Sequence, residues 1–299
     1  MGELLTKQEH FFAFSRENKP VKRIMPGTTI TIETYDCYSN QIHSGHTEID
    51  RNKINPATGP IFIETSQPGD ILKVKIERIE IAEHGVMSVG PNLGVMGDIL
   101  EQHEVKFIPI KYNKAIFNET VNIPLNPMIG VIGVAPEGEQ IPTGTPGSHG
   151  GNMDTKLIAE GAVLYLPVSA DGALFGLGDL HAAMGDGEIG VTGIEVSGKA
   201  TVTLDVIKGA AIKHPIVMNA DGLAMIVSAR TLDEAVKQSV EHMIELLRPH
   251  TNLSINHLTM LFSAIGQTQI SQVVDPFMTA RFFLPRYFLE AYNINLFND

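Results

Sequence analysis

The runs "TTITIETYD" (28–36) and "ILKVKIERIEI" (71–81) alternate apolar and polar residues with a period of two. That period puts every second side chain on one side of a pleated ribbon, so both read as strands with one buried face. A third run, "KATVTLDVIKG" (199–209), follows the same grammar. Two of the three are entered through a Pro-Gly step, "MPGTTITIETYD" and "QPGDILKVKIERI". The pair reads either as one turn-then-strand unit used twice or as ordinary strand-entry chemistry. Short β-type runs separated by Gly, Pro and Asn continue to about residue 215.

The pattern then changes to a helical one. Thr231 is an N-cap candidate with Glu234 three residues on, followed by Leu232, Ala235, Val236, Val240, Met243, Ile244 and Leu247 on one face. A second amphipathic segment starts at Ser254 and stops at Gly266, and a third is expected over 286–292. The expectation is a mainly β chain with flanking helices (α+β): one domain over 1–299, β-rich to about 215, with the helices of 231–292 packed on the β structure.

Charge narrows the partners. With 22 Lys plus Arg against 34 Asp plus Glu the formal charge is −12, and no basic run occurs, which argues against nucleic acid. The N-terminal stretch lacks the charged-then-apolar layout of an export signal and any long apolar span, so neither export nor membrane insertion is expected. A cytoplasmic location follows, and the single Cys37 fits a reducing compartment.

Three segments carry candidate chemistry. "GDLHAAMGDGEIG" (178–190) holds Asp179, His181, Asp186 and Glu188 among four glycines. "PTGTPGSHGGNMDTK" (142–156) holds His149, Asn152 and Asp154 in a similar glycine-rich setting, and "YDCYSNQIHSGHTEID" (35–50) adds Asp36, Cys37, His43, His46 and Glu48. Each alone is consistent with a glycine-rich turn bearing solvated groups. Together they favour a metal site, because divalent ions take His and carboxylate ligands drawn from several loops. No HExxH or paired CxxC element is present, so spacing does not identify the metal.

The strings "GDLHAAMGDGEIGVTGIEVS", "GNMDTK", "DCYSNQI" and "ISQVVDP", in their order and spacing along nearly the whole chain, closely resemble the acetamidase/formamidase family. The resemblance implies a mostly β fold of two intertwined repeats, metal-dependent hydrolysis of a small aliphatic amide such as formamide or acetamide, and homo-oligomers. On that basis Asp179 and His181 are expected as metal ligands, with Asp36 or His149 completing the set. Zinc is the expected ion and calcium the alternative. Glu188 is expected to move the proton, with His149 as a second catalytic group and Asn152, Asp154 and Gly185 at the substrate.

Other schemes are open to the same residues. Cys37 is an alternative nucleophile with His43 as its base, and Ser148 next to His149 suggests a Ser-His pair, although sequence neighbours rarely face each other. A non-catalytic metal or ligand module, or a hydrolase of another small C–N substrate, would also use such loops. Seven aromatics within 275–297 give a sequence motive for an interface between copies, or for a tail folded on its own domain.

Overall fold

Met25-Pro26-Gly27-Thr28 and Gln67-Pro68-Gly69-Asp70 are the same turn. In each, the fourth N–H donates to the first carbonyl, at 3.3 Å and 3.0 Å, and the glycine takes φ +82° and +92°. Proline second and a left-handed glycine third make a type II turn. The turns launch strands Thr28–Thr34 and Ile71–Ile81, which flank Gly198–Ile207 on its two sides, both antiparallel to it. Gly198 meets Thr34 on one side and Ile81 on the other. The unit repeated in sequence is therefore repeated in space about a shared strand.

This computed structural model describes residues 3–43 and 49–297, so His46 and Glu48 lie outside the described residues. The long strand also explains a break in its own pattern. Leu72, Val74 and Ile76 are buried at period two, then two polar residues intervene before Ile79 is buried. The register with Gly198–Ile207 slips at that point, passing over Glu77, so a bulge keeps Ile79 on the core face.

Among the described residues these strands sit in a nine-stranded sheet, packed against an eleven-stranded one. Ile30, Ile32, Val74 and Ile76 from the first meet Ile61, Ile129, Ile132 and Leu177 from the second in one buried core. At the centre of the second sheet is Phe175–His181, buried at every position. It pairs with Met128–Gly133 along one edge, and with Ala57–Ile63 and then Glu195–Val196 along the other.

Three helices, α1 (Leu232–Leu247), α2 (Ile255–Ile265) and α3 (Arg286–Ala291), cover the outer face of the nine-stranded sheet. Thr231 caps α1 by accepting the Glu234 N–H, and Ser254 caps α2 through His257. Ala235, Ser239, Met243 and Leu247, one per turn, form the buried stripe of α1. The third helix ends one residue short of the expected Tyr292.

Beyond residue 215 the structure also holds strands Ile216–Met218, Gly222–Ala229, Gln267–Gln272 and Met278–Pro285, which extend the nine-stranded sheet. Gly222–Ala229 and Met278–Pro285 escape a search for alternation because both of their faces are largely buried, whereas Gln267–Gln272 is a polar edge strand with no apolar period. In "GLAMIVSA", Ala224 and Ile226 enter the core between the sheets, while Leu223, Met225 and Val227 pack beneath the helices. The C-terminal aromatics serve that second core: Phe282, Phe288 and Phe297 are buried, and Phe297 packs on Tyr165 with ring centroids 4.2 Å apart. The sequence motive for an interface is thus largely used inside the chain. Among the described residues no helix is long and apolar enough to cross a membrane.

A Cβ at Gly27 or Gly69 would touch nothing within 4 Å, so its cost is purely that of the left-handed backbone. Gly27→Ala and Gly69→Ala are expected to lower stability by equal amounts, about 1–2 kcal/mol each, in denaturant titrations.

Candidate active site

The site grows from the C-terminal end of Phe175–His181. Asp179 lies two residues before His181 on that strand, and His181 is the direct cross-strand partner of Glu195. Asp154 follows the strand Gly150–Asn152, and Glu188 lies in the loop after the central strand. Their oxygens converge on one atom: His181 Nε2 is 3.2 Å from Glu195, 3.5 Å from Asp179, 3.7 Å from Asp154 and 3.9 Å from Glu188. All five side chains are buried.

The backbone is shaped to allow this. Asp154, Asp179 and Glu188 have φ of +42°, +55° and +45°, a region L-residues enter at a cost and which concentrates at functional sites. Gly130, on the neighbouring strand, leaves room for the carboxylates: a Cβ there would lie 2.4 Å from Asp154 Oδ1 and 2.5 Å from Asp179 Oδ2. Gly193 does the same for the ring, since its Cβ would lie 2.6 Å from His181 Nδ1.

Burial and mutual repulsion set the protonation states. At Asp154 burial, then Asp179, pushes the carboxyl well above its usual range, and at Glu188 burial, then Asp154, does so too. Burial raises Glu195 to about 7 even though the imidazole opposes it. Burial would also raise Asp179, but His181 outweighs it and holds that carboxyl low. For His181 itself burial disfavours the charge, and Glu195 and Asp179 overcome it, so the pKa lies well above that of a free imidazole. Asp275 joins the group through Asn152, whose Nδ2 donates to it at 2.9 Å, and burial followed by Glu188 raises it. Four buried carboxyls around one imidazole, with half-buried Asp275 beside them, need protons or a cation to balance them.

The cluster opens on a cavity of about 700 Å³, whose wall includes Asn152, Asp179, Glu188, Glu195 and Asp275. Cys37 also reaches this wall and shares a close group with Asp179 and Glu195. Burial first, then those two carboxylates, raises its thiol well above the ordinary value, which suppresses the thiolate.

Comparison with known proteins places the chain in a family. The acetamidase/formamidase family profile matches residues 6–143 and 138–290. The chain belongs to that family. A structure described as a predicted acetamidase/formamidase from Thermoanaerobacter tengcongensis is 54% identical, with a TM-score of 0.96 over 99% of both chains. An acetamidase structure from Bacillus halodurans is 42% identical, with a TM-score of 0.95 over 97% of this chain and 100% of that one. A formamidase of Methylophilus methylotrophus is 31% identical over 138 residues, 42% of this chain and 33% of the relative. The chain spans 63% or less of the length of the curated relatives it matches.

Within this acetamidase/formamidase fold the residues singled out from sequence divide into two groups. Asp154, Asp179, His181 and Glu188 meet, with Asn152 beside them. Asp36 does not: its Oδ1 accepts the N–H of Tyr38 at 3.0 Å and of Asn40 at 2.7 Å, closing a local turn. Gly185 is exposed, away from the cavity wall, and its carbonyl accepts the Glu188 N–H at 3.2 Å. His149 is buried against Phe14, ring centroids 5.3 Å apart, and neither ring nitrogen has a hydrogen-bond partner. Glu195 and Asp275 were missed. Their signal is an acid set in an apolar context, "GIEVS" and "QVVDP", where a solvated charge has no place.

Behind the site, Arg281 is fully buried and organises the loop that carries Glu188. Its Nη2 donates to both oxygens of Asp186 at 2.8 Å, its Nε to Gln269, and its Nη1 to Ser271 Oγ at 3.0 Å. Ser271 in turn bonds Thr155, the neighbour of Asp154, and Gln272 Oε1 accepts the Asp275 N–H. One guanidinium therefore ties together the segments bearing three of the acids.

Two measurements follow. Asp186→Asn leaves the Arg281 charge without its anion, and because Asp186 is one-third exposed the expected loss is about 3 kcal/mol in a denaturant titration, the low end for a broken buried pair. Burial lowers His149 to about 4 against an ordinary 6.5. Between those values the unfolded chain binds the proton and the folded chain does not, so stability is undiminished above 6.5 and falls as pH drops towards 4. His149→Gln is expected to flatten that window by about 3 kcal/mol when stability is compared at pH 7 and pH 4.

Proposed function

We propose that the protein hydrolyses the C–N bond of an amide, releasing carboxylate and ammonia, with a divalent metal held in the buried cluster. The observation that carries this reading is the convergence of four buried carboxylates on His181 Nε2, at the wall of a cavity, in a member of this family. The residues present fit a metal. Both oxygens of Asp154 and Oδ1 of Asp179 are buried without a hydrogen-bond partner, as acceptors awaiting a cation would be. Asp154, Asp179, His181 and Glu195 would hold the ion. One imidazole among carboxylates suits zinc, whereas calcium prefers six to eight oxygens. When bound, the ion would supply a Lewis acid for the amide carbonyl and lower the pKa of bound water to roughly 7.

The chain supplies the remainder. An amide nitrogen is a poor leaving group and needs a proton as its bond to carbon breaks. Glu188 lines the cavity from a left-handed backbone position, and on this reading its carboxylate takes a proton from the attacking water and delivers it to that nitrogen. A C–O bond forms, the C–N bond breaks, and ammonia leaves with the electron pair. Asn152 and Asp275, joined by their hydrogen bond, present an amide and a carboxyl on the same wall to orient the substrate. Cys37 takes no covalent part in this scheme, because its neighbours oppose the thiolate.

The test is ammonia release from primary amides, with metal analysis before and after EDTA and add-back. Glu188→Gln is expected to lower turnover about 10²- to 10⁴-fold, the usual contribution of a general acid-base group. Metal content should stay near stoichiometric, and Cys37→Ser should retain activity. Full activity in metal-free protein would overturn the metal-dependent scheme.

A further inference from the structure

The cavity is far larger than the amides by which the relatives are named. At about 700 Å³ it lies within the roughly 300–1,000 Å³ range of sites that engulf drug-sized ligands. Acetamide, with four heavy atoms, fills roughly 100 Å³ if each takes about the 30 Å³ share of a water molecule. Most of the volume lies beyond any contact such a molecule could make while its carbonyl sits at the acid cluster.

Away from the acid cluster the wall is mixed, and beside Arg51, Asn52, His103, Glu104 and Thr145 it carries a set of aliphatic side chains. Ile49, Ile54, Val89, Leu93, Val105 and Val191 reach it from four separate stretches of chain, each half-buried or exposed, with surface turned to the open space. Val191 sits there at φ +70°, a conformation that a β-branched residue adopts only under constraint. A glycine would relax that backbone, and the chain instead keeps an isopropyl group facing the cavity. Charge points the same way. Among the described residues Arg51 is the one lysine or arginine on the wall, facing a concentration of carboxyls in a chain of net charge −12. An anionic substrate would meet repulsion at the reacting end.

Resting on the amide-hydrolase reading above, we propose that the substrate is a neutral amide carrying an apolar group of roughly five or more carbons, a size matched to this cavity class. The amide end sits at Glu188 and the acid cluster, and the apolar group lies along the aliphatic side chains. Formamide and acetamide would react only as fragments of that substrate.

The experiment is kcat/KM for ammonia release from acetamide, butanamide, hexanamide and phenylacetamide, with the monoamide of hexanedioic acid as an anionic counterpart. Burial of a methylene at about 0.8 kcal/mol corresponds to a three- to fourfold gain, so hexanamide is expected to exceed acetamide by about 10²-fold. The anionic monoamide should fall at least tenfold below hexanamide. Leu93→Asp should lower the hexanamide-to-acetamide ratio about tenfold, a ratio taken within one preparation and so independent of how much protein folds. A flat or falling series from acetamide to hexanamide overturns the inference and leaves amide hydrolysis standing, as does an unchanged ratio in Leu93→Asp. No ammonia from any amide in metal-replete protein overturns both.

Discussion

Four carboxylates brought within 4 Å of one imidazole nitrogen in a buried site is the constraint on which the rest of this molecule depends. Like charges taken out of water repel strongly, and nothing about a hydrophobic core would assemble them unaided. They are held by a scaffold that leaves them no alternative. The central strand is buried along its whole length and paired on both edges, so Asp179 and His181 have no freedom to turn outward. Gly130 and Gly193 remove the atoms that would block the approach. The fully buried Arg281 sits one layer behind and supplies the positive charge that anchors the loop of Glu188 from outside the cluster.

The two-sheet architecture makes this possible through register. His181 stands opposite Glu195 on one neighbour and Met128 on the other, so one acid is delivered by strand pairing alone. The other three sit at left-handed backbone positions, where the pleat is broken and a side chain can leave its expected face. Regular pairing gives the site its rigidity and the breaks give it its convergence. The duplicated type II turns have no part in the chemistry. They set the strands that close the opposite sheet against this one, and the isoleucines and valines between the sheets fix the separation.

The parts of the fold legible in the sequence were those with one wet face. Strands 28–34, 71–81 and 198–207 alternate because one side meets water or polar neighbours, and the helices announce themselves through Thr231 and Ser254. Strands 222–229 and 278–285 were not legible, since a strand packed on both sides loses its period and resembles any apolar run. The same physics divides the site. Asp179, His181 and Glu188 stood out because glycines surround them, and the family resemblance sharpened that signal. Glu195 and Asp275 have no glycine-rich setting, and their one signal is an acid placed among apolar residues. Asp36 looked equivalent to Asp179 in sequence, but its oxygen closes a turn on Tyr38 and Asn40, a local competition that only coordinates reveal.

The aliphatic side chains of the cavity wall and the acid cluster are also physically linked. Apolar side chains lower the polarisability of the surroundings, which strengthens every interaction between the carboxyls, the imidazole and any charge that develops on a substrate. A wetter wall would let the acids ionise independently, each solvated and none acting on its neighbour. Burial couples them, so that protonation of one changes its neighbours: burial first, then Asp154, raises the Glu188 carboxyl. On the proposed scheme, the same valines and isoleucines would both receive an apolar substrate group and border the reacting end at Glu188, and occupation of that wall by substrate would exclude the remaining water there.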